Sequence, residues 1–396
     1  MSWQRREWIA AAAALAGAGG LGLAPWAHAS TVQGVTDTEI LLGSHQDLTG
    51  PVQALGSHLR DGLQLAVDDI NAAGGVHGRK IRLLVEDNGF DPKKAVLATQ
   101  KLVQRDKVFA LIATLGSATT MASMGIALDA GIPLLFAGTP ADFTYTPYHK
   151  LKFGLAVPYG EQVRAGVKFS VEKLGKKKFG ILYQDDETGL QVRRATEEQL
   201  KLHGQTLAER TSYKRGDINF ASQIGKLKAA GVDIVVLGTV IRETASAMQE
   251  ARRQGWNVDM LGNQASANSS VIKLGGEAME GFYATSPALL LSAMEPTPAI
   301  SALLERFRKK YGKEPEDGMI FGHVAMMLFA EGARLAGRNL TADSLAAGLE
   351  QVKNWTTTLP MVPATFGPND RLASRASYMM QVKGGKFVAI TQPITY

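Results

Sequence analysis

From about residue 39 onward, short apolar runs alternate with stretches whose apolar residues recur every three to four positions. Residues 40–43 read as a strand. Residues 55–73 place Leu59, Leu63, Ala66, Val67 and Ile70 on one helical face and stop at Gly74-Gly75, a helix-ending pair. A strand is predicted at 80–85. A helix then opens at Asp91-Pro92 and runs to about Arg105, with an aspartate suited to the cap and a proline suited to the first turn. A strand at 108–113, a helix at 117–130 and a strand at 132–137 follow. Such alternation predicts parallel strands covered by helices on both faces.

The same rhythm then restarts. Helices are predicted at 161–174, 190–203, 220–230 and 242–254, and strands at 179–183, 206–212, 234–238 and 260–261. Nothing rich in Pro, Gly or Ser separates the two stacks. Residues 300–352 read as mostly helical, and two strand-like runs at 377–382 and 386–390 flank Gly384-Gly385, a hairpin signal.

Composition narrows the picture. The chain has 396 residues, enough for two or three domains, and its 45% hydrophobic and 20% charged residues suit a folded globular protein. The net charge of +6 is interspersed. Its densest run, Lys176-Lys177-Lys178, precedes an apolar stretch and reads as a solvated strand entrance. No aromatic residues interleave with it, so no nucleic-acid partner is expected. There are no cysteines, which excludes disulfides, thiolate metal sites, a cysteine nucleophile and a lipoprotein anchor.

The N-terminus adds a destination. Arg5 and Arg6 precede an apolar, alanine-rich stretch at 8–23, and Ala27-His28-Ala29 supplies small residues at a cleavage site. Residues 1–29 therefore read as a secretory signal, possessing a twin-arginine-like start, and the exported chain is expected to begin at Ser30 in the periplasm. No later stretch reads as long and apolar enough to span a bilayer. A G-x-G-x-x-G match at 17–22 falls inside the signal and is not a dinucleotide site.

Signals for enzyme chemistry are weak. The chain has no G-x-S-x-G elbow, no H-E-x-x-H pair and no P-loop, and its seven histidines are scattered. Asp185-Asp186-Glu187 reads as a helix start, where acids meet the positive end of the dipole. A non-enzymatic protein without metal or cofactor is expected.

What remains lies at strand ends. Ligands of parallel sheets bind beyond the carboxyl ends of the strands. A strand ending near Ala113 brings Leu115, Gly116 and Ser117 to that edge, with Ser117 at a helix N-terminus, either as an anion contact or as a plain cap. The next strand ends in Ala137-Gly138-Thr139, again small and polar.

The chain also resembles the leucine/isoleucine/valine-binding-protein family, the type I periplasmic solute-binding proteins of ABC importers. The resembling blocks include Leu48-Thr-Gly-Pro51, Asp69-Ile-Asn-Ala72, Gly74-Gly-Val-His-Gly78, Gly131-Ile-Pro133 and Asp217-Ile-Asn-Phe220, and the likeness covers nearly everything after residue 35. The resemblance implies two doubly wound parallel-sheet lobes joined by three crossovers, with a ligand cleft between them. On that basis residues 31–155 plus 285–375 are expected to form one lobe, and 156–284 plus 376–396 the other. It implies a small-molecule ligand, a membrane permease as partner, and action as a monomer. A ligand-sensing regulatory protein is the alternative on the same fold.

The resemblance also assigns site residues. Gly116, Ser117, Ala137, Gly138 and Thr139 match the stretches that hold a ligand's carboxylate and, in part, its ammonium. Departures appear elsewhere. Leu55 stands at a tyrosine position, Thr188 and Val240 lie near two others, and Gln264 stands where a glutamate would accept an α-ammonium. Phe90 and Gly116 occupy the positions of a disulfide found in some members. The expectation is a ligand held by its carboxylate, with preference for acids or amides lacking an α-ammonium.

Overall fold

The computed structural model describes residues 32–214 and 216–396, so the signal reading and the glycine motif at 17–22 lie outside the described residues. The chain begins with β1 (Glu39–Gln46), α1 (Gln53–Ala72), β2 (Lys80–Asp87), α2 (Pro92–Gln100), β3 (Ala110–Ile112), α3 (Ser117–Asp129), β4 (Leu134–Leu135) and β5 (Lys152–Phe153). A second series follows: α4 (Tyr159–Glu172), β6 (Phe179–Gln184), α5 (Glu187–Leu202), β7 (Leu207–Tyr213), α6 (Ala221–Ala229), β8 (Ile234–Gly238), α7 (Ile241–Arg253), β9 (Asp259–Gly262), α8 (Ser269–Gly275) and β10 (Tyr283–Ser286). The last elements are α9 (Pro298–Tyr311), α10 (Asp317–Ala336), α11 (Ala342–Glu350), β11 (Tyr378–Lys383) and β12 (Lys386–Ala389).

The strands form two sheets, ordered β2-β1-β3-β4-β5 and β12-β11-β10-β9-β8-β6-β7. Every pairing in the first is parallel. In the second, β7 to β10 pair in parallel and the hairpin β11–β12 adds antiparallel strands at one edge. β1 is buried at all but its first residue, which explains its unbroken apolar start: helices cover both faces.

Local chemistry sets the helix starts. The Asp91 carboxylate accepts the N–H groups of Lys93 and Lys94, and Pro92 begins α2. Asp186 likewise caps α5 through the N–H of Gly189, so the acidic run is a helix start. Lys176 pairs with Asp259 at 2.6 Å, and the Asp233 carboxylate accepts the N–H groups of Lys177 and Lys178.

The late helices return to the first sheet. Phe307, Met319, Val324, Phe329 and Leu349 pack in one cluster with Ile40 and Leu42 of β1 and Leu59 and Leu63 of α1. One sequence expectation is corrected here. By length and composition α10 could cross a bilayer, contrary to the reading that no later stretch could, yet most of it is buried in the protein. Met319, Ile320, Val324, Met326, Leu328 and Phe329 are all inside, so its apolarity serves the core. The second sheet has separate clusters, one around Phe220, Met260 and Phe387 and another around Ile181, Val236 and Met379.

Candidate functional site

β3 and β4 leave the sheet in the same way. Each ends at a non-glycine residue in the left-handed region, Ala113 with φ 50° and Phe136 with φ 56°. Such backbone costs about 1–3 kcal/mol per residue and persists only where the surroundings hold it. Here the next residues hold each other: Gly138 N–H donates to Thr114 C=O at 2.8 Å, and Leu115 N–H donates to His45 C=O at 3.0 Å. Gly116, with φ 98°, precedes α3. A Cβ at this position would lie 2.6 Å from Thr119 Oγ1 and 2.7 Å from the Phe90 ring, so only glycine fits.

Ser117 is the first residue of α3, and the cap position belongs to Gly116, which offers no side chain. The alternative of a plain cap at Ser117 is therefore not what the structure shows. Its hydroxyl instead shares a 2.6 Å hydrogen bond with Thr139 Oγ1, joining the two strand ends. The first N–H groups of a helix have no intrahelical partners, so this edge carries positive potential.

A buried polar layer lies beneath. Asn88 donates to His45 Nδ1 at 2.9 Å and to Leu115 C=O at 3.1 Å, and its carbonyl accepts Phe90 N–H at 2.8 Å. His45 Nε2 then faces Ser123 Oγ at 3.3 Å, which makes Nε2 the protonated nitrogen. Burial lowers the His45 pKa to about 4, so the ring is neutral at ordinary pH. The Asp47 carboxylate accepts Gly50 N–H at 2.5 Å and Val52 N–H at 2.8 Å and so shapes the loop that presents Leu55.

The second sheet approaches from the other side. Gln264 follows β9, and its amide oxygen accepts from Gln162 Nε2 at 3.1 Å while Gln162 Oε1 accepts Gln264 N–H at 2.9 Å. Gln162 also donates to Val157 C=O at 2.6 Å, tying the residue that fixes Gln264 to the adjacent crossover.

Between these parts is a cavity of about 240 Å³. Pockets for drug-sized ligands span about 300–1,000 Å³, so this one suits a smaller solute. Leu55, Leu115, Gly138, Thr139 and Gln264 line it. Gly116, Ser117 and Ala137 do not, although Ser117 holds the lining Thr139. Thr188 sits in the first turn of α5 away from the cavity, and Val240 caps α7 so that its neighbour Ile241 forms the wall.

Asp317 is the one carboxylate among the wall residues that sequence reasoning missed. It opens α10, and its Oδ1 accepts Leu291 N–H at 2.9 Å. Burial raises its pKa to about 6, against the pull of that N–H and helped by nearby Glu316. Tyr159, also in the wall, is pushed up to about 12 by burial and stays neutral. No Lys, Arg or His is among the lining residues. The space is therefore largely apolar, with hydroxyl and backbone N–H groups near Thr139 and one acid at α10.

A profile of the periplasmic binding protein family matches residues 39–386. The leucine-, isoleucine-, valine-, threonine- and alanine-binding protein of Pseudomonas aeruginosa is 28% identical over 291 residues, covering 73% of this chain and 76% of the relative. Among solved structures, a fatty acid ABC transporter substrate-binding protein from Thermomonospora curvata has a TM-score of 0.77 at 26% identity, covering 92% of this chain and 94% of that one. A branched chain amino acid ABC transporter from Thermus thermophilus with bound valine reaches a TM-score of 0.80 at 19% identity, covering 91% and 98%, a likeness of fold.

Proposed function

Because the chain belongs to the periplasmic binding protein family, we propose that it is the solute receptor of an ABC importer. In this reading it is exported to the periplasm, captures a small organic solute with an apolar body and a carboxylate head, and delivers it to a membrane permease. The observation that carries the reading is the small, largely apolar cavity at the carboxyl ends of β3 and β4. Ligands of parallel sheets bind at this edge, and the name of the Pseudomonas aeruginosa relative points to a solute of small size.

The carboxylate would meet the Ser117–Thr139 hydroxyl pair and the free N–H groups of α3. The apolar body would lie against Leu55, Leu115 and Ile241. Residues 31–155 plus 285–375 and 156–284 plus 376–396 would act as two lobes closing on the ligand about the crossovers. The separate cores of the two sheets support that division. No cofactor takes part.

Titration calorimetry with leucine, valine, alanine and their desamino acids tests the reading, combined with small-angle scattering. Saturable one-to-one binding and a smaller radius of gyration with ligand are expected. No binding across the series, or slow consumption of the ligand, would remove it.

A further inference from the structure

The cavity has one ionisable acid and no counter-cation. Asp317 lines it from the first turn of α10, while the lining residue from the β9 end, Gln264, is a neutral amide whose oxygen is already occupied by Gln162. Leu291 N–H donates to Asp317 Oδ1, the one hydrogen bond to this carboxylate among the described residues, and the side chain lines the cavity. The neighbouring titratable groups do not neutralise it. Glu316 precedes it on the same helix, His58 of α1 lies 3.8 Å from Glu316 and stacks on Phe307, and Tyr159 of α4 is a neutral phenol. The segment around Leu291 meets it through the Leu291 N–H.

We infer that Asp317 selects the charge of the solute: its carboxylate receives a cationic amino group at the end of the cavity formed by α10. This rests on the reading of the cavity as a small-solute site. It reverses the expectation drawn from Gln264, because the missing acid is supplied by a different helix, on the other side of the cleft. A buried carboxylate without a counter-charge is costly, and an incoming ammonium removes that cost. A solute with only a carboxylate would add a second negative charge to a cavity without a cation. A zwitterion fits both ends, its carboxylate at the Thr139 edge and its amine at Asp317.

A structural role for Asp317 is the competing account, since it pins the segment at Leu291. Asp317→Asn separates the two, because the amide oxygen still accepts that N–H while the charge is gone. Matched pairs differing only in the amine are the probes: leucine with 4-methylpentanoate, valine with 3-methylbutanoate, and 3-methylbutan-1-amine as the amine alone. Calorimetry on the full exported protein at pH 5 and 7.5 gives the readout.

The wild type is expected to prefer the amine-bearing member of each pair. Its affinity for that member should strengthen between pH 5 and 7.5, by up to about tenfold per pH unit below the Asp317 pKa. Asp317→Asn should weaken leucine by roughly ten- to several-hundredfold while leaving or improving 4-methylpentanoate. If Asp317→Asn fails to fold, the wild-type pairs and their pH profile decide alone. Binding without amine preference, or a preference untouched in a folded Asp317→Asn, overturns the assignment while the small-solute reading stands. If no pair binds at all, that reading falls and the assignment with it.

Discussion

On the first-sheet side of the cleft, the wall is made of two strained strand ends braced from below. Ala113 and Phe136 turn left-handed, Gly116 admits no side chain, and His45, Asn88 and Ser123 form a buried relay beneath Leu115. On the second-sheet side the wall is Gln264 with its neighbours and Ile241: a reciprocal pair of glutamine contacts holds Gln264, and Asn263 accepts the N–H groups of Ala265, Ser266 and Ala267. The difference shows where the precise geometry resides. Backbone N–H groups and hydroxyls that grip a polar head must be fixed before the ligand arrives, whereas apolar contacts tolerate adjustment. The first wall is preorganised, and in the proposed function the second would close over the ligand.

The strongest test of that contrast is Asn88→Ala. It takes the partners of His45 Nδ1 and Phe90 N–H away, each worth about 1–3 kcal/mol, while Leu115 C=O keeps the Thr119 hydroxyl, so unfolding free energy should fall by about 2–4 kcal/mol in chemical denaturation. A loss no larger than that of a surface alanine would show that the relay does not brace the wall.

A second test uses protons. Asp317 has its folded pKa raised to about 6, so the folded state binds its proton first and Asp317 contributes stability below the ordinary carboxylate value that is lost as pH rises through 6. His45 acts oppositely, because its folded pKa of about 4 lets the unfolded state take the proton first as pH falls from 6.5. Comparing wild type with Asp317→Asn isolates the aspartate. The variant should be the more stable by about 2–3 kcal/mol at pH 7, and the gap should close by pH 4. A gap independent of pH would place the aspartate's charge elsewhere.

Ser117→Ala comes next. Losing a hydrogen bond to a charged head costs about 1.5–3 kcal/mol of binding, a roughly ten- to hundredfold weaker ligand. Apo stability should change little, since Ser117 is not the cap and loses only its contact with Thr139. Unchanged affinity beside lowered stability would make the serine structural.

The smallest effect is expected on the second wall. Gln264→Ala removes one neutral hydrogen bond, worth about 0.5–1.5 kcal/mol, and should lower affinity only a few-fold in calorimetry. A loss as large as that of Ser117→Ala would break the contrast between the walls.

Much of this was written in local pattern. Apolar periodicity located β1, α1, the β6–β9 series and the terminal hairpin to within a few residues, because one buried face imposes a period of two or 3.6 on the residues that fill it. Asp91-Pro92 set a helix start through chemistry local to the chain. The strand-end reasoning brought Leu115, Gly138 and Thr139 to the cavity because parallel sheets expose the same edge wherever they occur, and the resemblance brought Leu55 and Gln264. Short elements were not legible: β5 and β10 are two and four residues, too brief for a period, and are held by neighbours in the sheet. At the start of α7 one residue is a turn of about 100°, which puts Ile241 on the wall rather than Val240.

Asp317 marks the boundary between the two kinds of information. By itself it is an acid in the first turn of a helix, an ordinary place for one. Its neighbours in sequence fix that it begins α10, and the apolar residues after it fix that α10 is buried. That Asp317 lines the cavity follows only from α10 folding back along α1, where a Cβ on Gly318 would press on Leu55 and one on Gly322 would meet the backbone of Leu59. Periodicity reports which face of an element is inside, but which distant element shares that inside is set by packing of the whole chain, and only the tertiary structure decides it.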